Sequence, residues 1–329
     1  MRPGWLKGSA VMRIHVLHEN PAWLPPFAKA FEQARLPWTE WFLSEGTFDL
    51  AAPPPSGVFY NRMSASSHTR GHRYAAELTS AVLAWLTQWG RRIVNGPGAL
   101  DLEISKVRQY AALEQYGVTT PRTVVVAGRH NIVPAASQHF SNRPFILKPN
   151  RGGKGLGVLQ FQNTAALASF VERDGSEPPI DGLWLLQEYV RAPRPIITRA
   201  EFVGGHFLYA TEVDASEGFE LCPADACVVP EIAASPREAP REKFTIIPGM
   251  PETLRKRLEQ FLVGVGIEIA GVEFITDSDG RVVVYDVNTN TNYNAAAEER
   301  AGIAGTVDSG PGAVAAFLGA ELSQLPVAA

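Results

Sequence analysis

Cysteine is scarce in this chain, long apolar runs are missing, and positive charge is not in excess. Only Cys222 and Cys227 occur in 329 residues, and no histidine cluster stands beside them. A disulfide framework is therefore excluded and a zinc site is a poor fit, which leaves reduced structural thiols as the plain reading. The most apolar helical stretch, Ala81 to Trp89, is interrupted by Thr87 and Gln88. That is far short of the ~20 apolar residues that a membrane-spanning helix needs, so no membrane partner is expected. Thirty Lys and Arg against 34 Asp and Glu give a net charge of −4, which argues against nucleic acid as the main partner. The opening Met1 to Ala10 lacks the apolar core of a secretory signal, so residues 1–11 are expected to be a flexible extension and the location cytoplasmic.

What the chain does have is length for two or three domains and one conspicuous stretch, Pro144-Phe-Ile-Leu-Lys-Pro-Asn-Arg-Gly-Gly-Lys-Gly-Leu-Gly-Val-Leu-Gln-Phe161. Two apolar strands flank a turn that holds Gly152, Gly153, Gly155 and Gly157, with Lys148 before it and Lys154 inside it. Glycine lets backbone N–H groups approach an anion, and lysine supplies charge, so the chemistry suits a polyphosphate. An ordinary glycine hairpin reads much the same way. A Walker loop is excluded because Lys154 is followed by Gly155 rather than Ser or Thr. A Rossmann fingerprint is excluded because Val158 to Phe161 reads as strand rather than helix.

Taken in order, Met12 to Leu17, Trp38 to Leu43, Gly57 to Tyr60 and Arg92 to Asn95 read as strands, with helices between them. This predicts a small α/β domain with a parallel sheet over residues 12–97. The loop from Asn61 to Arg73 follows the third strand, at the end of the sheet where ligands bind in such folds. Its Arg62, Arg70 and Arg73 are candidates for holding a carboxylate, and a solvated polar loop is the alternative. Beyond Gly98 the pattern becomes α+β. A helix is expected from Asp101 to Tyr116, a buried strand from Gly182 to Val190, and a hairpin around Gly204-Gly205. A mobile segment follows near Ala233 to Lys243, then a helix from Pro251 to Gly266 and a last hairpin about the turn Asp277-Ser-Asp-Gly280.

That last hairpin carries Glu273 on one strand and Asp286 on the other, both among apolar neighbours. Two acids on adjacent strands repel one another unless a cation lies between them. Asn288, two residues past Asp286, shares its face. This all-oxygen set suits Mg²⁺ held jointly with phosphates. The run Asn288-Thr-Asn-Thr-Asn-Tyr-Asn294 then builds a polar loop at the strand end, and Asn292 in it is a further candidate substrate contact.

Lys106, Lys148 with its glycine turn, Gln187-Glu-Tyr-Val190, and Glu273 with Asp286-Val-Asn288 occur in an order that resembles the ATP-grasp superfamily, closest to its RimK-type glutamate-ligase and glutathione-synthetase-like branch. The resemblance spans about residues 12–320. It implies an α/β N-terminal (pre-ATP-grasp) domain followed by a two-subdomain α+β ATP-grasp fold, with residues 98–186 carrying the flap and 187–329 the metal site. It also implies ATP as cofactor with two Mg²⁺ ions, Mn²⁺ being an alternative. By the same resemblance Lys106 and Lys148 contact phosphates, and Gly152, Gly153, Lys154, Gly155 and Gly157 close over them. Gln187, Glu188 and Val190 meet the adenine, Arg199 stands near the transferred phosphate, and Glu273, Asp286 and Asn288 hold metal.

The chain departs from the pattern at Ala192 to Ile197, where no ribose-binding acid occurs, and at Asn288 to Asn292, which replaces the usual Asn-Ser-Ser-Pro-Gly. The expected activity is a carboxylate–amine ligase working on a small-molecule or peptide acid and an amine acceptor. A small-molecule kinase and a nucleotide-binding relative without turnover are the alternatives, and homo-oligomer formation is left open.

Overall fold

The computed structural model describes residues 12–326 except 142, 154, 174–177 and 217–241. The N-terminal extension, Lys154, Cys222, Cys227 and most of the segment expected to be mobile therefore lie outside the described residues.

The chain opens as β1 (Arg13–His18), α1 (Pro25–Gln33), β2 (Trp38–Phe42), β3 (Gly57–Asn61), α2 (Ala75–Gln88) and β4 (Arg92–Val94). These strands form an all-parallel sheet in the order β2-β1-β3-β4. β3 is buried along its whole length, as a parallel strand covered on both faces must be.

Next come α3 (Pro97–Glu103), α4 (Lys106–Gln115), β5 (Thr123–Ala127), α5 (Ile132–Phe140), β6 (Phe145–Pro149), β7 (Leu159–Phe161), α6 (Thr164–Arg173) and β8 (Leu183–Glu188). The single helix expected over 101–116 is thus two. Ser105 adopts an extended backbone (φ −147, ψ 106), and its side chain accepts from Arg108 N as the N-cap of α4. The apolar spacing of Ile104, Val107 and Ala111 continues through this break and conceals it. The consequence is local but important: Lys106 becomes the first residue of a helix aimed at the site.

The second sheet, β5-β8-β6-β7, is antiparallel and carries the glycine turn between β6 and β7. A third sheet, also antiparallel, follows in the order β11-β10-β9-β12-β13. Its strands are β9 (Ile196–Val203), β10 (His206–Asp214), β11 (Phe244–Ile247), β12 (Ile269–Thr276) and β13 (Val282–Asn288), with α7 (Glu252–Val265) between β11 and β12. At the β9–β10 turn Gly204 and Gly205 both have positive φ (63 and 77), the backbone that a two-residue hairpin requires.

The chain ends with α8 (Ala295–Arg300) and α9 (Gly310–Gln324). The last helix packs back on the first sheet: Val314, Ala315 and Leu318 share one core with Ile14, Phe31, Val58 and Ile269. Asn95, held at φ 58, ties the first and third sheets together. Its Oδ1 accepts from Glu268 N at 2.9 Å and Ile269 N at 3.1 Å, and its Nδ2 donates to Ile269 O at 2.8 Å and Thr289 O at 3.1 Å. Among the described residues no helix is long and apolar enough to cross a membrane.

Candidate active site

Strand register decides which side chains meet. Glu273 on β12 pairs with Asp286 on β13 and, on its other side, with Arg199 on β9; Gly271 pairs with Asn288 and Glu201 in the same way. Residues two apart on a strand share a face, so Arg199, Glu201, Glu273, Asp286 and Asn288 form one polar cluster on one face of the sheet. Gly271 stands at its centre, where a Cβ would collide with the Arg199 guanidinium. Glycine here makes room for a charge. A register irregularity after Glu273 leaves Tyr285 as the extra residue of a bulge, and its hydroxyl donates to Glu273 Oε2 at 2.8 Å.

Arg199 is nearly enclosed. Its Nε donates to Glu201 Oε1 at 2.6 Å, Nη1 to Glu273 Oε1 at 2.6 Å, and Nη2 to Thr291 Oγ1 at 2.7 Å. Thr291 in turn donates to Glu201 Oε2 at 2.7 Å. From α4, Lys106 Nζ reaches Asp286 Oδ1 at 2.6 Å. Burial works against the Lys106 charge, but the Asp286 carboxylate outweighs it and holds the ammonium above its ordinary pKa. Burial also drives the Glu273 carboxyl upward; Arg199 opposes that rise and the Asp286 charge adds to it. Two acids in this setting call for cations, and Lys106 and Arg199 supply one each.

Lys148 is 5% exposed and donates to the Tyr110 hydroxyl at 2.8 Å. Gln187 Nε2 donates to the same oxygen at 3.0 Å, while that hydroxyl donates to Tyr285 O at 2.9 Å. Tyr110 therefore joins β6, β8 and β13 through one atom. An aromatic one turn after Lys106 reads in sequence as core, and only the fold reveals its polar end.

These groups open on one cleft. Lys106, Lys148, Gln187, Glu188, Val190, Arg199, Glu273, Asp286, Asn288 and Asn292 line it, together with Gly152, Gly153 and Gly155 from the glycine turn. Ile146, Val158, Ile275 and Val283 give it an apolar wall, and Trp23, Ser64, Ser66, Glu103 and Asn290 line it as well. Glu103 is buried, which pushes its carboxyl upward, and it accepts from Ala65 N and Thr289 N. Gly157 has φ 73 but is not part of the lining.

The loop arginines do not line this cleft. Arg62 is 2% exposed, stacks on Phe27 at 4.0 Å, and donates to Trp23 O, Thr291 O and Asn292 Oδ1. It positions Asn292, which does face the cleft. Arg70 is paired with the buried Glu19, and Arg73 is exposed beside Tyr74.

Among the described residues no group of three His, Cys, Asp or Glu side chains could hold a metal. The donor set of Glu273, Asp286 and Asn288 nevertheless fits a hard cation by its chemistry. All three are oxygen donors on one sheet face, and the cluster they belong to sets three acids, Glu201, Glu273 and Asp286, against two cations, Arg199 and Lys106.

No protein-family model matches the chain. It is 24% identical over 219 residues to beta-citrylglutamate synthase B of Danio rerio, covering 65% of this chain and 48% of that protein. To beta-citrylglutamate synthase B of Homo sapiens it is 23% identical over 219 residues, covering 65% and 51%. The chain thus spans about half the length of the curated relatives it matches.

Among solved structures, the ATP-grasp ligase PsnB complexed with a minimal precursor superposes with a TM-score of 0.63 at 16% identity, covering 94% of this chain and all of that one. A RimK-domain ATP-grasp protein from Sphaerobacter thermophilus gives 0.63 at 18% identity, covering 93% and 98%. D-cycloserine synthetase DcsG gives 0.62 at 18% identity, covering 95% and 100%.

Proposed function

Because the chain folds as an ATP-grasp protein, we propose that it is an ATP-dependent carboxylate–amine ligase that forms an amide or peptide bond through an acyl phosphate. One observation carries the reading. The Glu273–Asp286 pair and the glycine turn after Lys148 line the same cleft, so a triphosphate between them would meet acids suited to a metal on one side and N–H donors on the other.

In this reading a carboxylate oxygen of the acid takes the terminal phosphoryl group of ATP with ADP as the leaving group, and the amine then attacks the acyl carbon, losing a proton and displacing phosphate. Glu273, Asp286 and Asn288 would hold Mg²⁺, which when bound neutralises phosphate charge. Lys148, kept in place by Tyr110, would bind the phosphates, and Lys106 would join them from the start of α4. Arg199, fixed by three hydrogen bonds, presents a preorganised positive charge that needs little rearrangement as charge develops. Gly152, Gly153, Gly155 and Gly157, with Lys154 among them, would cover the phosphates and keep water from the acyl phosphate. Gln187, Glu188 and Val190 at the end of β8 would meet the adenine, against the wall of Ile146 and Val283. Asn292, which lines the cleft and is set by Arg62, would contact the substrate. One relative of this fold, PsnB, is known in complex with Mg and ADP.

The deciding experiment is phosphate release from ATP across a panel of acids and amines, with mass spectrometry of the products. The ligase reading requires release that depends on both an acid and an amine, together with a product joined by loss of water. A stable phosphorylated product without free phosphate would replace the ligase with a kinase.

A further inference from the structure

Arg151 follows β6 by two residues and is 5% exposed. Its Nη1 donates to Glu77 Oε1 on α2 at 2.7 Å. Its Nε and Nη2 are also buried, and neither has a hydrogen-bond partner. Those two N–H groups form one edge of the guanidinium, the edge that takes a carboxylate side-on through two parallel hydrogen bonds. Charged donors buried without partners are rare enough to require an explanation.

The surroundings point the same way. Ser67 Oγ and His68 Nδ1, in the 3-10 turn Ser67–Arg70, are likewise buried without partners. Burial first, and then the charges of Arg151, Arg70 and Arg73, opposed by a hydrogen bond to the Ala65 backbone, keep the His68 imidazole below its ordinary pKa, so three guanidinium groups act on one small region. The acid that Arg151 touches there, Glu77, has a side chain 55% exposed and occupies one nitrogen only. The region also abuts the cleft: Ser66 and Gly153 both line it, and a Cβ on Gly153 would sit 3.5 Å from Ser66.

We propose that the free edge of Arg151, in the region that also holds Ser67 and His68, seats a carboxylate of the acid substrate other than the one that reacts, so that the preferred acid carries at least two carboxylates. Arg151 does not line the cleft as Lys148 and Arg199 do, so the group it holds is one the reaction leaves unchanged. That an acid substrate exists rests on the ligase reading. The anion site itself does not.

The test is isothermal titration of the full chain with glutarate, butyrate and inorganic phosphate, each with and without Mg·ADP. Glutarate is expected to bind wild type at least tenfold more tightly than butyrate. Arg151→Lys and Arg151→Ala are expected to lose that preference while Mg·ADP affinity stays within twofold. Ser67→Ala, expected to weaken glutarate two- to fivefold, carries the test if Arg151→Ala fails to fold by circular dichroism. Equal glutarate binding by wild type and Arg151→Lys overturns the assignment, as does a wild type that does not prefer glutarate to butyrate. Phosphate binding at this site in place of glutarate overturns it too. If Mg·ADP does not bind while glutarate still depends on Arg151, the ligase reading fails and the anion site stands.

Discussion

The Lys148 ammonium and the Tyr110 hydroxyl lie 2.8 Å apart, although 38 residues separate them in the chain. The lysine is thereby held by a neutral partner whose own proton goes to Tyr285 O, and its charge stays available for an incoming anion. Tyr110→Phe removes the contact and keeps the ring. A hydrogen bond from a charged donor contributes about 1.5–3 kcal/mol, so nucleotide affinity is expected to fall about tenfold or more. Titration with Mg·ADP, beside urea unfolding of the free protein, separates this from general instability. Unchanged affinity would mean that Tyr110 only fills space.

Asp286 has two duties, as counter-charge for Lys106 and as the proposed metal ligand. Asp286→Asn is expected to abolish ATP turnover and to cost about 3 kcal/mol of stability, because a buried ammonium loses its partner. The double variant Lys106→Met with Asp286→Asn should recover much of the stability and none of the turnover. Denaturant melts with a phosphate-release assay read both. Turnover by Asp286→Asn would contradict the metal assignment.

Gly271→Ala tests whether the guanidinium site depends on an absent side chain. The added methyl would meet Arg199 in a cluster with no slack, at a cost of about 1–3 kcal/mol, and would displace the charge from Glu273. Turnover is expected to fall at least a hundredfold while circular dichroism still shows the native fold. Full activity would show that Arg199 can move without penalty.

His15 gives the protein a pH dependence remote from the cleft. It stacks on Phe59 at 4.5 Å, and burial brings its pKa down to about 4, opposed by a hydrogen bond to Ser56 O. The unfolded chain binds this proton near pH 6.5 and the folded chain only near 4, so stability is full above 6.5 and declines as pH falls through that window. The shift corresponds to about 3 kcal/mol at the acid end. Melting temperatures of wild type and His15→Gln between pH 7.5 and 4.5 should converge toward acid. Parallel curves would rule His15 out as the cause.

The sequence discloses the acids of the last hairpin because a short turn fixes which residues oppose each other, and Glu273 does pair with Asp286. It discloses the parallel first sheet for a similar reason, since alternating strand and helix leave few topologies. It conceals whatever depends on partners far along the chain. Arg62 has the local signature of an anion-binding residue, yet carbonyl and amide oxygens from residues 23, 291 and 292 engage its Nη1 and Nη2. Glu201 shows nothing unusual in its own strand until Arg199 and Thr291 close around it. The break at Ser105 is hidden for the opposite reason, because apolar periodicity carries on across it.

The packing of α9 against β1 and β3 has a consequence for biogenesis. The first sheet to leave the ribosome lacks part of its covering until some 200 further residues have been translated. That sheet must wait, partly uncovered, for its final helix, and truncations that remove this helix should aggregate even though every residue of the cleft is still encoded.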